Sequence, residues 1–190
     1  MDLIVARYKE DISWLCGLNA NIIIYNKFYD EGNLLPNIGR EAHTYLYHIV
    51  NNYDNLTDIV GFIQGDATEN NIGHREVVTT TINNLNQETV YPIYFGRPHT
   101  CDTSGLPHHA GLPISKFLSL FNMNTNTINF YSGAQFIVTK SIITSRPRGF
   151  YQQLLSMISE EPNSIEAYVL ERIWPYIFDS TINLKQSYES

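Results

Sequence analysis

Short unbroken apolar runs alternate along this chain with longer stretches whose apolar residues recur at helical spacing. Asp2-Leu3-Ile4-Val5-Ala6-Arg7 reads as a buried strand, and the polar Tyr8-Lys9-Glu10-Asp11 then leads to a helical pattern at Ile12, Leu15 and Cys16. Asn21-Ile22-Ile23-Ile24-Tyr25 is a second β-branched run that ends in Asn26-Lys27. Pro36-Asn37-Ile38-Gly39 opens a helix with Ala42, Tyr45, Leu46, Ile49 and Val50 on one face. Ile59-Val60-Gly61-Phe62-Ile63 is a third buried run, and it stops abruptly at Gln64-Gly65-Asp66. This order predicts βαβ units, and therefore an α/β domain over residues 1–190 with a mainly parallel central sheet flanked by helices.

In an open α/β sheet, ligands bind beyond the carboxyl ends of the strands. Here those ends carry Arg7-Tyr8, Asn26-Lys27 and Gln64-Gly65-Asp66, so these polar groups are expected along one edge. Asp66 after a glycine suits a hard cation such as Mg²⁺ or Mn²⁺, and the same two residues equally suit an ordinary turn.

Further along, Glu76 to Leu85 is a candidate helix and Tyr91 to Phe95 a short strand. Gly96 to Pro113 reads as a long binding loop, dense in Pro, Gly and His. Within it His108 and His109 are candidate metal ligands or exposed polar residues, and Asp102 is a candidate carboxylate for acceptor activation. Thr127 to Tyr131 leads into a strand opened by Gly133-Ala134, where something can approach the backbone closely. Arg146-Pro147-Arg148 starts a helix with Phe150, Leu154, Leu155 and Ile158 on its apolar side, its arginines serving either phosphate or solvent. Ile165 to Phe178 is helical, and Glu171 within it is either a general base or one half of a structural ion pair with Arg172.

Composition narrows the classes. The chain has 190 residues, of which 43% are hydrophobic and 16% charged, which argues for a folded core rather than disorder. A net charge of −7 argues against general nucleic-acid binding, which normally needs a basic face. Two cysteines, Cys16 and Cys101, make neither a disulfide framework nor a metal-ligand spacing, and they fit a cytoplasmic protein with reduced thiols. There is no signal-peptide pattern and no apolar run approaching the roughly 20 residues that span a bilayer. A Gly-x-Ser-x-Gly elbow and a P-loop are both lacking.

The first strand, the second strand, Asn37-Ile38-Gly39-Arg40-Glu41-Ala42 and Phe62-Ile63-Gln64-Gly65-Asp66 together resemble the nucleotide-sugar half of GT-A-fold glycosyltransferases. A second resemblance runs over nearly the whole chain, through Gly39-Arg40-Glu41-Ala42-His43-Thr44-Tyr45-Leu46, Gly133-Ala134-Gln135-Phe136 and Leu170-Glu171-Arg172. It is to a domain-of-unknown-function family found in fungi, bacteria and large DNA viruses. The GT-A resemblance implies a Rossmann-like fold and transfer of a sugar from a UDP- or GDP-sugar to a glycan or glycoprotein acceptor. In that frame Tyr8, Asn26 and Lys27 line the nucleoside pocket, and Arg40 meets the phosphates. Asp66, with Gln64, His108 and His109, holds Mn²⁺ or Mg²⁺, while Glu171 and Asp102 are the catalytic carboxylates. The chain departs from the GT-A pattern at three places: Gln64-Gly65-Asp66 stands where those enzymes have Asp-x-Asp, Asn26-Lys27 where many have an Asp, and the metal-binding His that some carry near the C-terminus is missing, the last His being His109. Two alternatives are a nucleotide- or sugar-binding module without turnover and a metal-dependent α/β hydrolase.

Overall fold

A computed structural model describes residues 1–28, 31–67 and 74–189 of the chain. β1 (Asp2–Arg7), β2 (Asn21–Asn26), β3 (Asn33–Leu34) and β4 (Ile59–Gln64) lie parallel in the order β3-β2-β1-β4. Beyond β4 the sheet continues with β8 (Phe136–Thr139) and then β5 (Ile93–Tyr94), both β4/β8 and β5/β8 pairing antiparallel. The expected α/β domain with a mostly parallel sheet is therefore found, with two added antiparallel pairings that make the sheet mixed. Nothing in strand composition marks direction. The connections decide it, because β8 enters the sheet from the neighbouring strand Thr127–Tyr131 rather than from a crossover helix.

Each strand alternates its side chains between two cores. Ile4, Ala6, Val60, Phe62, Phe136 and Val138 face the larger one, where α1 (Arg40–Asn52), α5 (Arg148–Ser156) and α6 (Ile165–Ile177) pack. Leu3, Val5, Ile63 and Ile137 face the smaller one with Val78 and Ile82 of α2 (His74–Asn83). Burial on both faces explains why β1 and β4 read as unbroken apolar runs. The predicted face of α1 is correct, since Ala42, Tyr45, Leu46 and Ile49 are fully buried.

Two local expectations fail. The pattern at Ile12, Leu15 and Cys16 forms only a 3-10 turn over Ser13–Leu15. The Asp11 carboxylate takes the Ser13 N–H at 2.9 Å and its hydroxyl at 3.0 Å, offering the backbone a partner other than a helix. The segment 96–113 is not a structureless loop either, because Pro98–Asp102 forms β6 and pairs antiparallel with β7 (Thr127–Tyr131) in a separate two-stranded sheet. Pro98 is tolerated because it opens the strand. Turns then carry the chain to α3 (Ile114–Leu118), and α4 (Lys140–Thr144) follows β8.

Candidate functional site

The carboxyl ends of the parallel strands do meet: Arg7 lies opposite Asn26 across β1/β2, and Ala6 opposite Gln64 across β1/β4. Above them is a cavity of about 470 Å³ lined by Arg7, Tyr8, Glu10, Lys27, Arg40, Glu41 and Gln64, among others. A second, of about 290 Å³, is lined by Arg40, Glu41, Gln64, His108, His109, Gly133, Tyr168, Glu171 and Arg172, among others. Arg40, Glu41 and Gln64 belong to both linings, so the two cavities adjoin at the start of α1.

That helix start is built by local backbone. Gly39 (φ 59°) and Arg40 (φ 47°) are both left-handed. A Cβ on Gly39 would come within 2.5 Å of the Ile158 side chain, so both its conformation and its surroundings require glycine. The Gly39 N–H donates to the Glu161 carbonyl at 2.9 Å and the Arg40 N–H to the Pro162 carbonyl at 3.2 Å, which ties the α5–α6 connection to this corner. Lys27 closes it from below: Nζ donates to the Ile38 carbonyl at 2.6 Å and to the Arg40 carbonyl. Burial pushes the Lys27 ammonium down to about 8, with Arg40 adding to the fall and Glu41 opposing it.

Arg40 Nε stands 3.5 Å from Glu41 Oε2, and its guanidinium lies over the Tyr168 ring at 5.2 Å. Arg7 pairs with Glu31 at 2.9 Å. Tyr8 is exposed at the cavity mouth, with Phe28 edge-on at 5.2 Å and the Lys9 ammonium over both rings. The Glu10 carboxylate accepts the Tyr8 N–H at 2.6 Å and the Lys9 N–H at 3.1 Å.

The expected nucleotide residues thus divide. Tyr8, Lys27, Arg40 and Gln64 line the larger cavity. Asn26 lies under it and does not line it; its buried amide accepts from Arg7 at 3.4 Å and donates to the Glu31 carbonyl at 2.6 Å, which makes it a strut.

The expected metal set does not assemble. Asp66 turns to Arg75, whose Nη2 is 3.2 Å from its Oδ1, and it lines neither cavity. His108 lies against His99 and Phe130, its Nε2 3.2 Å from the Thr100 carbonyl, while His109 meets the Tyr168 ring edge-on at 4.6 Å. Among the described residues no three His, Cys, Asp or Glu side chains group as ligands. Among the described residues, those present do not fit the divalent ion that the GT-A resemblance implies, because Asp66, the carboxylate of Gln64-Gly65-Asp66, pairs with Arg75 of α2 and lines neither cavity.

Both expected catalytic carboxylates are engaged in hydrogen bonds within the fold. Asp102 Oδ1 accepts from the Ser104 hydroxyl at 2.7 Å, the Ser104 N–H at 2.8 Å and the Leu106 N–H at 3.0 Å, and these bonds hold it below the usual carboxylate range. It closes the turn after β6 and lines neither cavity. Glu171 does line the smaller cavity, but Oε1 accepts the Gly133 N–H and Oε2 the Arg172 Nη1, each at 2.6 Å. Gly133 (φ 88°) in turn receives Gln64 Nε2 on its carbonyl at 2.9 Å. The small Gly133-Ala134 pair therefore serves a buried bracket joining β4, the approach to β8, and α6.

The Arg146 guanidinium donates to the Ile177 carbonyl at 3.0 Å and the Ile182 carbonyl at 2.6 Å, which ties the end of α6 to the segment after it. Arg148 pairs with Asp54.

Glu10, Glu41 and Tyr168 were not singled out as site residues from sequence. Glu41 alone had a usable signal, as an acid in the first turn of the helix beginning at the left-handed glycine.

No helix among the described residues is long and apolar enough to cross a membrane. Comparisons with curated proteins and with solved structures find no match. One family model matches residues 3–189, and the chain belongs to that family, described as a protein of unknown function, DUF3431.

Proposed function

We propose that this chain is a glycosyltransferase that binds a nucleoside-diphosphate sugar in the larger cavity and passes the sugar to a hydroxyl acceptor entering the smaller one. The observation that carries the reading is the gathering of Arg7, Lys27 and Arg40 beside Glu10 and Glu41, with the exposed Tyr8 ring, around about 470 Å³ at the carboxyl ends of three parallel strands. In a protein of net charge −7, three cations outnumber two carboxylates in this lining, a balance that favours an anionic ligand. The amino end of α1 adds its dipole, and Lys27 has a third N–H beyond the two given to carbonyls. The cavity is of the size that takes small ligands. A parallel β3-β2-β1-β4 order flanked by an antiparallel β8 is compatible with the GT-A resemblance. Charge on the leaving diphosphate is met by these side chains. A binding module without turnover is the second reading, favoured by the full engagement of Glu171 and Asp102.

The test is a thermal-shift screen against UDP, GDP, CMP and their sugar conjugates, with and without Mn²⁺. One nucleoside diphosphate should stabilise the protein without metal, by about 3 kcal/mol at a hundredfold excess over Kd. Asp66→Ala should shift equally. No stabilisation by any nucleotide overturns the reading, and stabilisation that needs Mn²⁺ and Asp66 overturns the account of the diphosphate site.

A further inference from the structure

Transfer between two adjoining cavities needs a proton acceptor where they meet, and among the described residues three carboxylates line them: Glu10, Glu41 and Glu171. Glu10 belongs to the larger cavity alone, with one oxygen receiving two backbone N–H groups. Glu171 belongs to the smaller one alone, with both oxygens holding the Gly133 bracket. Glu41 lines both. It sits in the first turn of α1, largely buried, on the same corner that Lys27 and the left-handed Gly39-Arg40 pair fix in place. Its Oε2 stands 3.5 Å from Arg40 Nε, and its charge also faces Lys27.

Resting on the glycosyltransferase reading, we infer that Glu41 is the catalytic carboxylate that takes the proton of the acceptor hydroxyl. The acceptor oxygen bonds to the anomeric carbon as the bond from that carbon to the diphosphate oxygen breaks. The hydroxyl proton goes to the Glu41 carboxylate, and the electron pair of the broken bond leaves with the diphosphate, beside Lys27 and Arg40. Glu41 then returns its proton to water. The cavity order assigns the acceptor too: the smaller cavity, edged by Glu171, Arg172, His109 and Tyr168, presents charged and hydrogen-bonding groups that suit a hydroxyl-rich saccharide.

The experiment uses the full chain, with UDP-glucose and GDP-mannose as donor probes and a mixture of methyl glycosides as acceptors. Released nucleoside diphosphate is followed, and donor binding is measured separately by calorimetry. Glu41→Gln should bind the donor within about twofold of wild type while kcat falls roughly 10²-fold or more. Azide or formate should restore part of the turnover of Glu41→Ala, which a structural role would not allow. Glu41→Asp keeps the charge at the helix start and guards against misfolding of the neutral variant; its kcat should fall by roughly tenfold or more with donor KM unchanged. Turnover by Glu41→Gln near the wild-type rate overturns the assignment. So does a folded Glu41→Gln that no longer binds donor, since Glu41 would then be a binding group. Wild-type protein that binds neither donor overturns the transferase reading, and this inference falls with it.

Discussion

Replacing Lys27 with Met removes a charge that the fold carries against its own burial. The ammonium sits at about 8 in place of the usual 10.5, a gap equivalent to roughly 3 kcal/mol. Because the folded value is depressed, the unfolded chain binds more protons between those limits, so stability rises with pH through the window and falls again as pH drops through about 8. For this one group the rise amounts to about 1 kcal/mol between pH 7 and pH 9. Removing the charge relieves the penalty but strands the Ile38 and Arg40 carbonyls, at about 1–3 kcal/mol each where water cannot reach. The two effects nearly cancel at pH 7. Urea unfolding of wild type and Lys27→Met at pH 7 and 9 should therefore give similar stabilities at the lower pH and a wild-type-specific gain at the higher. Ligand binding supplies the second readout. A diphosphate beside Lys27 favours the protonated form, so at pH 9 binding should take up about 0.9 proton, measured by calorimetry in buffers of different ionisation heat. Lys27→Met should abolish that uptake and weaken UDP or GDP binding by roughly ten- to a hundredfold. Identical pH dependence in the two proteins, or wild-type nucleotide affinity in the variant, refutes the placement of a buried, ligand-facing lysine.

Gly39→Ala forces a side chain into a left-handed position against Ile158 and should destabilise the fold by about 2–4 kcal/mol in urea; a loss under about 1 kcal/mol would contradict the packing described. Tyr8→Ala should leave stability unchanged and cost about 1–3 kcal/mol of nucleotide affinity if a base stacks there, so unaltered affinity removes Tyr8 from the nucleoside pocket. His43 and His48 are pushed by burial down to about 4, with the Lys27 charge adding to the fall at His43 and Asp2 opposing it at His48. Stability present above the usual 6.5 is thus lost as pH falls toward 4, by roughly 3 kcal/mol per histidine, and His48→Gln should flatten that acid limb.

The parts of the fold legible in sequence are those with a single strong period. β1, β2 and β4 announce themselves because both faces are buried, and α1, α5 and α6 because one stripe of each is. β6 was hidden, since Pro98, His99 and Thr100 look like loop residues until β7 pairs with them. Half of the candidate site followed from strand and helix ends: Tyr8, Lys27 and Gln64 meet because parallel register brings the strand ends level, and Arg40 joins them from the start of α1. Asp66, Asp102 and Glu171 show the other side. A carboxylate's type and neighbours say nothing about which donors the fold will aim at it, and Arg75, Ser104, Gly133 and Arg172 were already aimed.

By itself, then, the sequence determined an α/β domain with its polar groups delivered to one edge of a parallel sheet, because hydrophobic period and turn chemistry are local properties. Only the tertiary structure decided that β8 and β5 run antiparallel and that Asp66 leaves the site. It also decided that Glu41 stands where two cavities meet, because pairing partners, ion pairs and shared cavities join residues far apart along the chain.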